Sequence, residues 1–200
     1  PTLMVLAIAS GCASTDQNIN SGLWHFNAGL WGEASYRLQS SVPDLEKSNP
    51  QDPRLPTALV ALGDMANNAQ RTDQAENFYA RAIKAADGQT PPNNVSVRNA
   101  LVHAGFFYQQ LKRPSEALPL FNRAADISET DLTIPRTLHA VDLDNIAVAY
   151  GELERYPEGE SFSLRALKVL DSAQSEPDST KTRGIVFYNL AYAYEHQQRP

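Results

Sequence analysis

A single cysteine, Cys12, occurs among the 200 residues. That excludes an internal disulfide framework and a cysteine-based zinc cluster, because each needs several sulfurs at set spacing. The four histidines, His25, His103, His139 and His196, are scattered with no His-Glu-x-x-His pair, so neither a metal centre nor a cofactor is expected. Phosphate chemistry lacks its loop: Gly29-Leu30-Trp31-Gly32 is followed by no Lys-Ser/Thr ending and preceded by no strand pattern. There is no Gly-x-Ser-x-Gly elbow, and the pairs Glu152/Glu154 and Glu158/Glu160 read as solvated surface beside a turn. No catalytic residue is assigned. Basic charge is also scarce: 17 Lys and Arg against 23 Asp and Glu leave a net charge of -6. This is the opposite of the electrostatic footprint that binds a phosphate backbone, so nucleic acid is not an expected partner. The apolar run from Leu3 to Ala9 holds seven residues, far short of the roughly 20 that cross a bilayer. What remains, with 42% hydrophobic and 20% charged residues, is a chain able to bury a core.

The N-terminal run leads into Ser10-Gly11-Cys12, no charged residue precedes Asp16, and the chain opens on Pro1 rather than Met. Small residues directly after such a run mark a secretory cleavage site, with the basic n-region lying upstream. Ala9-Ser10-Gly11-Cys12 resembles the bacterial lipobox, although that motif more often opens on Leu. The resemblance implies that Cys12 is acylated and becomes the first mature residue, with two or more acyl chains giving stable membrane attachment. Ala13 stands where an Asp commonly marks inner-membrane retention in such lipoproteins, so the expected location is the periplasmic side of a bacterial outer membrane. The other reading is a plain signal peptide with a small buried or free cysteine. Residues 1–12 are thus expected to be a partial signal peptide, and residues 13–200 the folded domain.

A pattern of small residue, aromatic, then Glu-Ala recurs down that domain. Gly29-Leu30-Trp31-Gly32-Glu33-Ala34, Arg71-Thr72-Asp73-Gln74-Ala75, Arg113-Pro114-Ser115-Glu116-Ala117 and Arg155-Tyr156-Pro157-Glu158 share one phase, each joining two segments of helical periodicity. One series runs Leu59, Leu62, Gly63, Ala66, Ala75, Tyr79, Ala82, and the next Leu101, Ala104, Gly105, Tyr108, Ala117, Phe121, Ala124. A third runs Leu143, Ile146, Ala147, Tyr150, Gly159, Ser163, Ala166, departing at Gly159 and Ser163, where looser packing is expected. A fifth repeat offers Phe187, Leu190, Ala191 and Tyr194, and the first is degenerate, with Gly22, Ala34 and Leu38 as its clearest matches.

These residues resemble the tetratricopeptide repeat (TPR). Repeats start near residues 15, 56, 98, 140 and 184, a period of about 42 against the usual ~34. The additional residues fall in Pro- and Asn/Asp/Ser-rich linkers at 48–56, 88–94, 129–135 and 172–182. The longer period, with the stretches at 143–150 and 187–194, is similar to the kinesin-light-chain repeat type, which often carries a proline where Pro119 stands, near the start of the second helix. The resemblance implies an all-α fold, a right-handed α-solenoid of stacked antiparallel helix pairs with about four and a half repeats, the last truncated. With no second helix after the fifth first helix, Phe187, Leu190, Ala191 and Tyr194 are expected to face nothing in this chain. Further chain, a partner or a second copy would cover them.

In that family the first helices of the repeats line a concave groove. The groove positions fall on Asn99, His103 and Phe106, then Asn145 and Val148, then Tyr188, Asn189 and Tyr192. Asn145 and Asn189 hold one phase, with His103 equivalent before them, and in the family asparagines there clamp the backbone of an extended peptide. A carboxamide suits the task because it offers donor and acceptor together, while Phe106, Tyr188 and Tyr192 would supply hot-spot contacts. The alternative is that both asparagines merely satisfy neighbouring backbone or solvent. Asp64, Asp144, Glu152 and Glu195 in the groove point to a neutral or basic ligand. The leading expectation is a non-catalytic scaffold binding an extended segment of a partner protein. The alternatives are the recognition arm of a larger enzyme whose catalytic domain lies beyond residue 200, and self-association through the last helix.

Overall fold

The structure is a computed structural model that describes the backbone of residues 2–197 and the side chains of residues 15–197. Cys12 and the lipobox-like segment lie outside the described side chains. Among the described residues there are nine helices and no strand: α1 (Thr2–Asn27), α2 (Trp31–Ser48), α3 (Leu55–Asn68), α4 (Thr72–Asp87), α5 (Asn94–Gln110), α6 (Pro114–Thr130), α7 (Arg136–Glu152), α8 (Tyr156–Ser172) and α9 (Ser179–His196). The chain divides into two compact units, Pro1–Ala100 and Leu101–Pro200, whose boundary falls inside α5.

The turns that pair the helices repeat in detail. Those after α1, α3, α5 and α7 each pass through one left-handed residue: Gly29 (φ 74°), Gln70 (φ 57°), Lys112 (φ 58°) and Glu154 (φ 59°). The following N–H then donates to the carbonyl five residues back, Leu30 to His25 at 2.8 Å and Arg71 to Ala66, Arg113 to Tyr108 and Arg155 to Tyr150 at 2.9 Å each. This Schellman closure satisfies carbonyls that the helix end leaves without partners and turns the chain back on itself. Pro114 and Pro157 then stand in the first turn of α6 and α8, where a missing N–H has no cost. Pro119 differs from expectation: it is the sixth residue of α6 and lies inside the helix, one turn deeper than the cost-free positions.

Within each of the first three pairs, a glycine on the first helix meets a bulky residue sixteen positions later on the second. A Cβ placed on Gly22 would come within 2.6 Å of Leu38, and one on Gly63 within 2.7 Å of the Tyr79 ring. Gly105 lies against the ring of Phe121 in the same way. The helices approach this closely because the first contributes no side chain at the crossing, and the second fills the gap. Around these crossings the first unit buries Ile19, Leu38, Leu45, Leu55, Leu59 and Leu62, and the second buries Phe121, Leu143, Ile146, Leu170 and Val186.

The long linkers are fastened rather than loose. In the first unit Gln89 Nε2 donates to the Asp52 carbonyl at 3.0 Å, and Gln51 bonds both the Gly88 carbonyl and the Thr90 amide at 2.8 Å. In the second, α7 has no side-chain cap of its own, and the Glu176 carboxylate accepts from the Arg136 and Thr137 amides at 3.1 and 2.8 Å. Those backbone donors hold the Glu176 carboxyl below its ordinary value. Position 190 also departs from expectation: Leu190 does not face outward but is 6% exposed, because α9 packs on both α7 and α8. Phe187 and Ala191 do remain exposed.

The crossings make a direct prediction. Gly63→Ala forces a methyl into the Tyr79 ring and should destabilise the protein by about 1–3 kcal/mol. Gly184→Ala adds a methyl where nothing lies within 4 Å and should be neutral or stabilising by up to about 1 kcal/mol through helix propensity. Thermal unfolding of the two variants beside the parent checks the contrast.

Candidate functional site

The second unit breaks the crossing rule at one place. Gly63 and Gly105 correspond to Ala147, Tyr79 and Phe121 to Ser163, and Ala75 and Ala117 to Gly159. Looser packing was expected at both departures, and it occurs at one of them. Gly159 is tight: a Cβ there would sit 2.9 Å from the Ala147 carbonyl oxygen, so α8 approaches the α7 backbone itself. Ser163 is the opposite case. With a hydroxymethyl group in place of a ring, a cavity of about 340 Å³ opens among α7, α8 and α9, within the size range of ligand-binding clefts.

The cavity has a floor of small groups from Ala147, Gly151, Gly159 and Ser163, beside Val148, and walls that include Tyr156, Tyr188 and Tyr192. Lys112, Glu152 and Asn189 contribute its polar groups. Tyr156 and Tyr192 belong to an aromatic cluster: they meet edge to face at 6.4 Å, and the His196 ring packs at a tilt against Tyr192 at 4.0 Å and against Tyr156 at 5.0 Å. Glu152 Oε2 accepts a hydrogen bond from Gln109 Nε2 at 3.3 Å.

Next to this cavity is a buried polar cluster. Asn189 Nδ2 donates to Asp144 Oδ2 at 2.8 Å. Asp144 is 6% exposed and Asn145 9%, yet Asp144 Oδ1 and Asn145 Nδ2 have no hydrogen-bond partner. Buried polar atoms are nearly always paired, and leaving one unpaired costs about 1–3 kcal/mol. Burial pushes the Asp144 carboxyl up to about 6, with the Asn189 hydrogen bond opposing the shift only in part.

The expected groove residues therefore divide. Val148, Tyr188, Asn189 and Tyr192 line one cavity, and Asn145 is the chain neighbour of Asp144, to which Asn189 is bonded. Phe106 is 41% exposed and rests edge-on against Phe121 at 5.5 Å, with exposed His103 one turn before it on α5. Asn99 belongs to the first unit, where its carboxamide oxygen accepts from Arg98 at 3.3 Å. Asp64, also in the first unit, accepts from the Tyr79 hydroxyl at 2.6 Å. Sequence reasoning did not assign Tyr156 or Ser163 to the site. The departure at Ser163 was the available signal, since a missing ring implies either a collapsed crossing or a hole.

A second depression, of about 480 Å³, lies in the first unit and is lined by Pro43, Phe78 and Arg81 among others. Arg81 is already paired with Glu46 at 2.8 Å and stacked over Phe78, and none of the expected site residues reaches it. Among the described residues no group of three His, Cys, Asp or Glu side chains could hold a metal ion, and no helix is long and apolar enough to cross a membrane.

The Asp144 environment sets a pH dependence. Its folded value, about 6, lies above the 3.8 of an unperturbed Asp. The protonated form is thus favoured by folding, and stability falls as pH rises from about 4 through 6. At about 1.4 kcal/mol per pH unit, the loss by pH 7.5 is on the order of 2–3 kcal/mol. Asp144→Asn keeps an acceptor for Asn189 and removes the charge. Its melting temperature should match the parent at pH 4 and exceed it by several degrees at pH 7.5, as calorimetry at the two pH values would show.

No protein-family model matches the chain, and no curated protein matches it. Solved structures do. BtubC (BKLC) from P. vanneervenii superposes with a TM-score of 0.74 at 17% identity, covering 96% of this chain and 83% of that one. The apo form of RapI superposes at 0.75 with 18% identity over 92% of this chain, which spans 64% of RapI. The nearly identical TPR-like repeats of a Podosopora anserina kinesin-light-chain-type protein superpose at 0.70 with 14% identity, covering 92% and 86%. The fold is that of TPR-like repeat proteins, with kinesin-light-chain-type repeats among the similar structures.

Proposed function

We propose that this chain is a non-catalytic interaction module that binds an extended segment of a partner protein along the face formed by α7 and α9. The observation that carries the proposal is the pair of buried residues Asp144 and Asn145 with half-buried Asn189 bonded to Asp144. Asn145 Nδ2 is a buried donor without a partner, while Asn189, which gives one hydrogen bond to Asp144, keeps its Oδ1 as an acceptor. A donor and an acceptor held one repeat apart match the C=O and N–H groups of an extended backbone, independent of its side chains. Burying Asp144 costs stability, and such a cost is characteristic of sites kept for binding. The exposed apolar side chains Ile185, Tyr188 and Tyr192 of α9, which share the phase of Asn189, add contact area beside the polar cluster.

The two asparagines are not equivalent. Asn189→Ala removes the one hydrogen bond that Asp144 makes among the described residues and so should lower stability as well as affinity. Asn145→Ala removes a group without a protein partner. It should not lower the melting temperature, since it removes an unpaired buried donor, and should weaken partner binding about tenfold, the equivalent of ~1.4 kcal/mol. Isothermal titration of parent and variant with a segment captured from a bacterial envelope extract tests this, and equal affinities would contradict it.

The same reading has the module held by lipid at Cys12 on the periplasmic side of a bacterial outer membrane, supported by Ala9-Ser10-Gly11-Cys12 after the apolar run. Cys12→Ser, expressed with its natural leader, should then move from the membrane fraction to the soluble periplasmic fraction and lose its acyl mass by mass spectrometry. An unchanged fractionation would contradict lipid attachment.

A further inference from the structure

We infer, resting on the peptide-binding reading above, that the cavity among α7, α8 and α9 receives a lysine or arginine side chain of the bound segment. The space corresponds to the one that Tyr79 and Phe121 fill in the preceding pairs, and Ser163 leaves it open. Ala147, Val148, Gly151 and Gly159 contribute apolar or bare-backbone surface to its lining, against which an aliphatic stem can rest. Its walls include the rings of Tyr156, Tyr188 and Tyr192, and a cation within about 6 Å of an aromatic face is attracted by the ring quadrupole.

The polar groups point the same way. Asn189 lines the cavity, and with Nδ2 donating to Asp144 its Oδ1 is an acceptor with no partner among the described residues. Glu152 uses Oε2 toward Gln109 and adds a carboxylate. Asp144, bonded to Asn189, has no cation partner among the described ion pairs, and its Oδ1 is without a donor. A cationic side chain would bring positive charge to a cavity lined by Glu152, Asn189 and three tyrosines. Lys112, the one basic residue lining the cavity, is exposed and sits on a left-handed turn residue. It opposes a basic ligand and sets a sign for the test.

The probe is a library of short random peptides displayed on phage, selected at pH 7.5 on the immobilised protein. The selected peptides should carry Lys or Arg at a fixed position, and replacing that residue by norleucine in synthetic copies should weaken binding about tenfold. Glu152→Gln should weaken the same peptides, and Lys112→Ala should tighten them. The double variant Ala147→Gly/Ser163→Phe restores the ring and the glycine of the preceding pairs; it should fold and lose the basic preference while still retaining peptides. Peptides that depend on Asn145 but show no preference for Lys or Arg would overturn the inference and leave the groove standing. Retention of no peptide by the folded parent would overturn the groove reading and this inference with it.

Discussion

The close crossing within each helix pair governs the rest of the structure. Where the first helix carries Gly22, Gly63 or Gly105, the second can approach until a leucine, tyrosine or phenylalanine side chain covers bare backbone. That contact needs the turn before it to have one geometry, and the left-handed residues at 29, 70, 112 and 154 provide it each time. Three of the four are not glycine. A side chain in that conformation is disfavoured, so the crossing and the 6→1 hydrogen bond together outweigh a local preference.

The candidate site comes from relaxing the same constraint. At the fourth crossing the ring becomes Ser163 and the glycine becomes Ala147, while Gly159 keeps α8 pressed on the α7 backbone. The helices therefore stay together, and the volume that a ring would have occupied is left among them. α9 supplies tyrosines to its wall and Asn189 to the buried Asp144. Packing and electrostatics are thus joined at one residue: Asn189 lines the cavity and also holds the carboxylate behind it. Burial strips that carboxylate of solvation, which pushes the Asp144 carboxyl up to about 6.

Much of the fold was legible because it rests on small residues at fixed spacing. The helix pairs and the breaks between them could be read from Gly63, Gly105, Tyr79, Phe121 and their fellows. Other features depend on contacts between residues far apart in sequence. Nothing local to residue 176 indicates that its carboxylate caps α7, and nothing local to Leu190 indicates that α9 buries it against α7 and α8. Asn145 and Asn189 stood out as a repeated phase, but their difference in role comes from Asp144, whose choice of partner only the packed helices reveal. Pro119 was placed from the repeat pattern, which gives the phase of a residue and not how far the helix extends before it.

The most direct test of the central claim is a crystal structure of the protein with a bound peptide. It should show a main-chain carbonyl of the peptide within hydrogen-bond distance of Asn145 Nδ2 and a side chain of the peptide in the cavity floored by Ser163. A peptide seated elsewhere, with Asn145 Nδ2 still unpaired and the cavity unfilled, would contradict it.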